Sequence, residues 1–288
     1  MKKYCKLLRV KHYIKNILIF FPCIFSGRIF EINTLKISFI SFLIFCAVSS
    51  TVYIINDIKD VEKDRLHPKK CKRPIASGEV SIKQAVVLAT VCFTLAIVGQ
   101  LFLRIDGHIN IAGLLTVLAY FIINVLYSVC GWKNIPLVDV AILTLGFILR
   151  VFFGAVNTDI AISSWLYLVI FCGALFMGFG KRKNELKICG NNTRKVLERY
   201  SLNFLDKSMQ TSITLSIVFY SLWCMERAGE SKINFLISVP LFVFILLKYS
   251  MDIDGESDGD PVNVILGDKI LIVMVVILAF ILMWGLYM

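Results

Sequence analysis

The sequence predicts an all-α integral membrane protein with about nine transmembrane helices. Hydrophobic residues make up 58% of the 288 residues and charged residues 18%, whereas soluble domains have about 25% charged residues. The mean hydropathy is +0.77, and apolar stretches extend over the whole chain without a polar block large enough to fold separately. We therefore expect one membrane domain, residues 1–288.

A membrane-spanning helix needs roughly 20 mostly apolar residues to cross ~30 Å of hydrocarbon. Nine stretches qualify, approximately 14–30, 36–56, 82–104, 109–129, 135–156, 162–180, 209–226, 233–250 and 269–287. Pro22 and Gly27 interrupt the first stretch, which also fits the core of a signal peptide behind a basic segment. Because no small-residue cleavage site follows, a short or tilted first helix is favoured.

The distribution of Lys and Arg predicts the orientation. With nine spans, five of the 31 basic residues fall on one side and one falls within a span, which leaves 25 on the other. An excess of this kind marks the cytoplasmic face. The N-terminal segment and the long loops 57–81 and 181–208 are therefore expected in the cytoplasm of a bacterial-type cell membrane. This pattern also accounts for the net charge of +11, so nucleic-acid binding is not indicated.

The cysteines and histidines do not indicate a metal site. The nine cysteines are scattered singly, without a C-x-x-C pair, and the three histidines have no i, i+4 pairing. We interpret the cysteines as small hydrophobic residues.

Loop 57–81 begins with an acidic box. If the second span continued as a helix for two more turns, Asp57, Asp60 and Asp64 would share one face, with Asn56 beside Asp60. Like charges on one face repel unless a cation lies between them, and hard oxygen ligands suit Mg²⁺ shared with a substrate phosphate. The box therefore predicts a Mg²⁺ site. The alternative is a solvated helix end, neutralised by nearby lysines and arginines.

The rest of that loop is basic, and its two prolines and a glycine predict a non-helical turn. Arg65 and Arg73 lie here, and bases beside a metal site suit a diphosphate. The alternative is charge that anchors the loop to anionic lipid headgroups.

Two charges lie in or near the fifth span, where ionisable residues are candidates for function. Asp139 lies near the cytoplasmic end and could reach the site, whereas Arg150 is interpreted as a structural partner of a polar group on another helix. Eleven residues separate them, about 16 Å along a helix, so they cannot pair directly.

Loop 181–208 is mainly basic and follows Gly178 and Gly180, which allow close backbone approach. Lys181 and Glu185 are spaced for a surface ion pair, and the alternative is a second anion site. Further on, the acidic stretch 252–260 superficially resembles a calcium loop, but Asn263 stands where an EF-hand requires Glu. Asp252 and Asp254 remain candidates for contacts with ribose hydroxyls, against a solvated loop.

Taken together, these motifs resemble the UbiA superfamily of intramembrane prenyltransferases. The likeness rests on Asn56-Asp57-x-x-Asp60-x-x-x-Asp64, on Arg65-x-His67-Pro68 with Arg73-Pro74-Ile75-Ala76-x-Gly78, and on long loops after the second and sixth spans. It extends to Arg9 with Lys15-Asn16, to Tyr127-Ser128, to Gly180-Lys181-Arg182 and to Glu198 with Tyr200. The resemblance implies a helical bundle with a cytoplasm-facing active site.

One departure from the superfamily indicates the donor. Members that prenylate aromatic rings carry a second Asp-rich box after the sixth span, where this chain has Lys181-Arg182-Lys183-Asn184-Glu185. One acidic and one basic box suit a donor with a metal-bound diphosphate at one end and a phosphate at the other. Phosphoribosyl diphosphate has that form, and the closest likeness is to members that use it to modify a decaprenyl-type lipid phosphate in cell wall biosynthesis.

The resemblance thus implies a Mg²⁺-dependent transferase that moves a 5-phosphoribosyl group to a polyprenyl phosphate and releases diphosphate. The expected metal ligands and catalytic residues are Asp57, Asp60 and Asp64, with Asn56 as a further ligand. The expected substrate-binding residues are Lys15, Asn16, Asn56, Arg65, Arg73, Tyr127, Lys181, Arg182, Glu185, Arg199, Tyr200, Asp252 and Asp254.

The sequence leaves two other functions open. The first is transfer of an isoprenoid from a prenyl diphosphate to an aromatic or quinone-precursor acceptor, which an acidic second box would have favoured. The second is a non-catalytic transporter or lipid-binding protein, which would place its polar clusters at mid-bilayer rather than at one face. Lipid-facing and subunit-facing surfaces are equally apolar, so the sequence allows an oligomer as well as a monomer.

Overall fold

The computed structural model describes residues 2–66, 70–105, 107–189, 195–227, 232–255 and 259–288. His67 and Pro68 of the basic turn, and residues 256–258 of the acidic stretch, lie outside this set. The described chain is almost entirely helical. It divides into two compact units, one of Met1–Lys133 with Leu149–Ala161 (unit 1) and one of Asn134–Ile148 with Ile162–Met288 (unit 2).

Unit 1 contains the first acidic and basic motifs. Its elements are α1 (Lys2–Leu7), a 3₁₀ segment (Val10–Phe20), α2 (Phe21–Phe25), α3 (Ile32–Lys59), α4 (Val61–Leu66), a 3₁₀ turn (Lys70–Lys72), α5 (Ile82–Phe102), the antiparallel strands β1 (Arg104–Ile105) and β2 (His108–Ile109), and α6 (Ile111–Val129). Ser81 and Gln84 form a capping box that starts α5, and the Asn110 side chain caps α6. A 3₁₀ turn (Trp132–Asn134) follows, and α7 (Val138–Thr158) is shared by both units.

Unit 2 contains the second basic motif. Its further elements are α8 (Ser164–Cys189), a 3₁₀ turn (Lys195–Arg199), α9 (Leu202–Arg227), α10 (Lys232–Asp254), α11 (Pro261–Gly267) and α12 (Lys269–Tyr287). Asp260 caps α11, with Pro261 in the first turn, and Asp268 caps α12 by accepting from the Leu271 backbone N–H.

Within the described residues, seven helices are long and apolar enough to cross a membrane: α3, α5, α6, α7, α8, α10 and α12. Two of the nine predicted spans are not among them. The first predicted span is divided between the 3₁₀ segment and the short α2, and α9 is long but does not meet the same criteria of apolarity. The protein is an α-helical integral membrane protein, while the count of nine spans stays a prediction.

Each unit has its own apolar core, and the outer faces are apolar as well. Phe45, Tyr120 and Phe153 pack in the core of unit 1, whereas Phe176 and Tyr249 pack in that of unit 2. Large apolar side chains are exposed along α5 and α12 in particular. Exposed apolar surface on this scale requires a lipid environment rather than water.

Candidate active site

The acidic box lies where α3 ends. Asp60 leaves the helical conformation, with φ −95° and ψ 9°, and α4 begins at Val61. The expected two-turn continuation of one helix is therefore wrong, although the Asp60 and Asp64 backbone N–H groups still donate to carbonyls four residues back. Beyond the kink the carboxylates have different cationic partners, because Asp57 and Asp64 share Arg73 whereas Asp60 contacts Lys133. A buried charge requires such a partner.

Asp57 and Asp64 converge on one guanidinium nitrogen. Arg73 Nη1 lies 3.0 Å from Asp57 Oδ1 and 2.6 Å from Asp64 Oδ2. Both carboxylates are almost fully buried, whereas the Arg73 side chain is 26% exposed. Two acidic oxygens therefore surround one positive charge that solvent can reach.

The turn that carries Arg73 is anchored in the core. Ile75 and Val80 are buried beside Ile54 of α3. Between them Gly78 adopts φ +80°, a conformation that favours glycine, and the Val80 N–H donates to the Pro74 carbonyl. The predicted non-helical turn is confirmed for residues 73–79, whereas Arg65 lies in α4 and Lys70–Lys72 form a 3₁₀ turn. The packing of the turn fixes the position of Arg73 against α3.

Asp60 and Asn56 have different partners. Lys133 Nζ lies 3.0 and 3.1 Å from the two carboxylate oxygens of Asp60, and both side chains are partly exposed. Asn56 Oδ1 accepts a hydrogen bond from the Ser128 hydroxyl, 3.1 Å away. Lys133 was not among the predicted site residues, because 73 residues separate it from Asp60 and no local pattern connects them.

Arg9 is a second residue of this site, and the sequence analysis included it in the family likeness without giving it a role. Its Nη2 lies 2.5 Å from Asp57 Oδ1, and its guanidinium lies 4.9 Å from the centre of the Tyr53 ring. The backbone of Arg9 is left-handed, with φ +53°, which costs a non-glycine residue of order 1–3 kcal/mol. Surrounding contacts must therefore hold this conformation.

The donor set at Asp57 and Asp64 fits a divalent cation. No group of three His, Cys, Asp or Glu residues arranged to hold a metal occurs in the part of the chain that the structure describes. Two hard oxygen donors nevertheless share one cationic partner, and Mg²⁺ is typically held by one or two carboxylates together with substrate phosphates. Asp57 and Asp64 are thus the candidate ligands, whereas Asp60 points to Lys133.

Other residues predicted to bind substrate in unit 1 occupy varied environments. Asn16 is buried and bonded to Arg150, so direct contact with a soluble substrate is not supported, because its amide is already used in packing. Arg65 is exposed and paired with Glu62. Lys15 and Tyr127 are partly exposed, and their predicted roles stay predictions.

In unit 2 a buried network surrounds Arg182. Its Nε lies 2.5 Å from Asp139 Oδ2, its Nη1 lies 2.5 Å from Glu185 Oε2, and its side chain is fully buried. The Tyr200 hydroxyl donates to Asp139 Oδ1 at 2.7 Å and accepts from the Leu137 N–H. Burial, with the bond to Asp139, raises the pKa of the Tyr200 phenol, which stays protonated and able to donate.

Glu185 pairs with Arg182, three residues before it, and the surface pair of Lys181 with Glu185 stays a prediction. The burial of Arg182 favours a role in orienting Asp139 and Glu185 over direct phosphate contact. Asp139 was singled out in the sequence, but its partner 43 residues away was not predictable from spacing.

The predicted ribose-binding acids are paired with lysines. Asp254 lies 2.6 Å from Lys183 Nζ and 2.7 Å from Lys187 Nζ, and Asp252 pairs with Lys248. Lys181 is partly exposed and Arg199 is exposed. Their predicted substrate contacts stay predictions.

Apolar spanning helices define a polytopic helical membrane protein. Its candidate ion-binding site consists of buried carboxylates and partly exposed arginines at the end of one span. The chain belongs to the UbiA prenyltransferase family, whose model matches residues 21–270. The resemblance stated from the motifs is therefore confirmed.

Two relatives and one solved structure specify the likeness. The chain is 34% identical to decaprenyl-phosphate phosphoribosyltransferase of Corynebacterium glutamicum, over 98% of this chain and 86% of the relative. It is 33% identical to the protein of that name from Mycobacterium tuberculosis, over 92% of this chain and 88% of the relative. A UbiA homolog from Archaeoglobus fulgidus, solved bound to GPP and Mg²⁺, matches with a TM-score of 0.72, 21% identity and 98% coverage of both chains, which confirms the fold.

Proposed function

We propose that this protein transfers the 5-phosphoribosyl group of phosphoribosyl diphosphate to a polyprenyl phosphate of the decaprenyl type. The observation that carries the proposal is the similarity, over nearly the whole chain, to relatives named for that reaction. The basic second loop supports it further, because the aromatic prenyltransferases of the superfamily have an acidic box there.

In the proposed reaction the bond between C1 of ribose and the diphosphate oxygen breaks, and its electron pair leaves with the diphosphate. An oxygen of the lipid phosphate supplies the electron pair of the new C1–O bond. That oxygen is already anionic at neutral pH, so no general base is required. The histidines therefore need no catalytic role.

Asp57 and Asp64 would hold Mg²⁺, which neutralises charge on the departing diphosphate. Arg73 lies against both carboxylates and is partly exposed, so it can bind diphosphate oxygens from the same place. Arg9 contacts the same Asp57 oxygen as Arg73, Oδ1, and holds this carboxylate in place. Lys133 orients Asp60, and Ser128 orients Asn56.

Fewer residues of the second loop are proposed to contact substrate than the sequence analysis predicted. Lys181 and Arg199 are candidates for the phosphate at C5 of ribose, because each carries a positive charge at a described position that is at least partly exposed. Arg182, Asp139, Glu185 and Tyr200 form the buried network that holds α7 against α8 at this point.

The lipid acceptor accounts for the membrane fold. A long isoprenoid chain is soluble only in the bilayer, whereas the donor is highly charged and soluble only in water, so the reaction requires a site at the boundary.

From the excess of Lys and Arg we propose that this boundary is the cytoplasmic face of an inner membrane. Cys5 and Cys130, both exposed, would then react with an impermeant maleimide in inverted vesicles and be protected in right-side-out vesicles.

The activity is tested with purified protein in lipid vesicles and ribose-labelled phosphoribosyl diphosphate. We expect label to enter the lipid fraction only with decaprenyl phosphate and Mg²⁺, with one diphosphate released per label transferred. Chelation of Mg²⁺ should abolish transfer. Parallel reactions contain prenyl diphosphate with 4-hydroxybenzoate, and product from that pair alone would refute the proposal.

A further inference from the structure

Arg150 is a buried cation inside a membrane-spanning helix. Its Nε donates to Asn16 Oδ1 at 2.7 Å, its Nη2 donates to the Tyr120 hydroxyl at 3.1 Å, and its guanidinium lies 5.1 Å from the ring centres of Phe45 and Tyr120. The predicted partnership with a polar group on another element is thus confirmed. The reaction proposed above assigns it no role, although intramembrane charges are usually functional.

The partner of Arg150 belongs to an unusual element. Asn16 lies in the N-terminal 3₁₀ segment, which runs for 11 residues, whereas 3₁₀ helices longer than 3–4 residues are uncommon because their hydrogen bonds are poorly aligned. Side-chain contacts must therefore stabilise the segment. Asn16 also donates to Cys46 Sγ and Ser49 Oγ of α3.

Helix α7 approaches the same segment one turn beyond Arg150. A Cβ atom added to Gly154 would lie 2.0 Å from the carbonyl oxygen of Ile19, so glycine is required for this contact. Arg150 and Gly154 are spaced i, i+4 and lie on one face of α7. The segment is thus fixed to α7 at two places, by the hydrogen bond of Arg150 with Asn16 and by the close packing of Gly154 against the Ile19 backbone.

The other end of the segment leads directly to the acidic site. The Ser50 hydroxyl donates to the Leu8 carbonyl at 2.9 Å and contacts the Tyr13 hydroxyl at 2.8 Å. Arg9 lies between Leu8 and Tyr13 in the sequence and has a left-handed backbone conformation. Its Nη2 lies 2.5 Å from Asp57 Oδ1. Seven residues separate Arg9 from Asn16, about 14 Å along a 3₁₀ helix.

We propose that Arg150 is a positioning residue for the acidic site and acts through the N-terminal 3₁₀ segment. By holding Asn16 it fixes the segment along α3, and the fixed segment places Arg9 against Asp57. The strained backbone of Arg9 is maintained from both sides, by the Leu8–Ser50 bond and by the anchored segment. The inference rests on the proposed function only in that Asp57 belongs to a metal–diphosphate site.

The test is a double-mutant cycle on binding of Mg²⁺ with pyrophosphate, measured by titration calorimetry on the full chain in detergent. We expect R150M and R9A each to weaken binding about tenfold, a size typical for residues that orient metal ligands. If Arg150 acts through Arg9, the R150M/R9A variant should bind no more than about twofold more weakly than R9A alone. If R150M folds poorly, N16A serves as a milder second variant. The N16A/R9A variant should likewise bind no more than about twofold more weakly than R9A alone.

Asn157 provides the matched control. It is a buried polar residue of the same helix and unit, but its amide bonds Ser41, Gln100 and Asn110. N157A should lower the melting temperature and leave pyrophosphate binding unchanged. Hydrogen exchange should quicken at residues 10–20 in R150M and remain as in the native protein in N157A.

The outcomes separate the two proposals. If the losses of R150M and R9A multiply, Arg150 only stabilises packing and the positioning role is refuted. If the native protein fails to bind Mg²⁺ with pyrophosphate, the acidic site itself is wrongly assigned and both proposals fall. If product forms only from prenyl diphosphate with 4-hydroxybenzoate, the proposed activity fails while the positioning role stands, because both donors carry a diphosphate.

Discussion

In unit 1 two buried carboxylates lie against one partly exposed arginine, whereas in unit 2 one fully buried arginine lies between two carboxylates. The charges are alike, and the sequence presents both as polar clusters after a membrane span. Their burial differs. An arginine in reach of solvent can exchange a carboxylate partner for an incoming anion. A fully buried arginine cannot move away from its carboxylates without leaving buried charges unpaired. The comparison assigns binding to the first cluster and support to the second.

The largest effect is expected on stability in unit 2. R182M leaves Asp139 buried without its cation, which should cost about 3–5 kcal/mol. We expect a clear fall in melting temperature in detergent, with partial recovery in the R182M/D139L variant, where both charges are removed. An R182M protein as stable as the native one would show that the two clusters do not differ as described.

The next effect is on activity in unit 1. D57N or D64N should lower kcat/KM for phosphoribosyl transfer about 10³-fold, because each removes charge where the diphosphate departs. Melting temperature should change little, since Arg9 and Arg73 reach solvent. The matched control is E62Q, which alters an exposed carboxylate of α4, two residues before Asp64, and should leave the rate unchanged.

A third effect links ligand binding in unit 1 to the melting temperature of the protein. Mg²⁺ with pyrophosphate at 100 times its dissociation constant should stabilise the native protein by about 2.7 kcal/mol. D57N should lose this thermal shift, whereas R182M should retain it despite a lower starting temperature. Loss of the shift in R182M would extend the binding role to unit 2.

The smallest effect compares two cations of unit 1, the partly exposed Lys133 and the exposed Arg65. K133M should reduce kcat/KM about tenfold, because Lys133 orients Asp60. R65A should change kcat/KM less than about twofold, because the pair of Arg65 with Glu62 is exposed. Equal effects would mean that general positive charge, rather than the Asp60 contact, is what matters.

The sequence predicted those features that depend on local composition. Apolar length and charge asymmetry indicated a helical membrane protein, and the spacing of three aspartates indicated an acidic site. The kink at Asp60 was missed because no local residue breaks the helix, and its partner Lys133 comes from another part of the chain. The burial of Arg182 was missed for the same reason, since charge is visible in a sequence but its depth is not.

The Asn16–Arg150 hydrogen bond has a consequence for biosynthesis. Its partners are 134 residues apart, and chains are synthesised at about 5–20 residues per second, so Asn16 precedes Arg150 by about 7–27 s. During that interval an 11-residue 3₁₀ segment lacks its attachment to α7 while α3, α5 and α6 enter the bilayer. With the positioning role proposed for Arg150, the acidic site reaches its final geometry only after α7 has been synthesised.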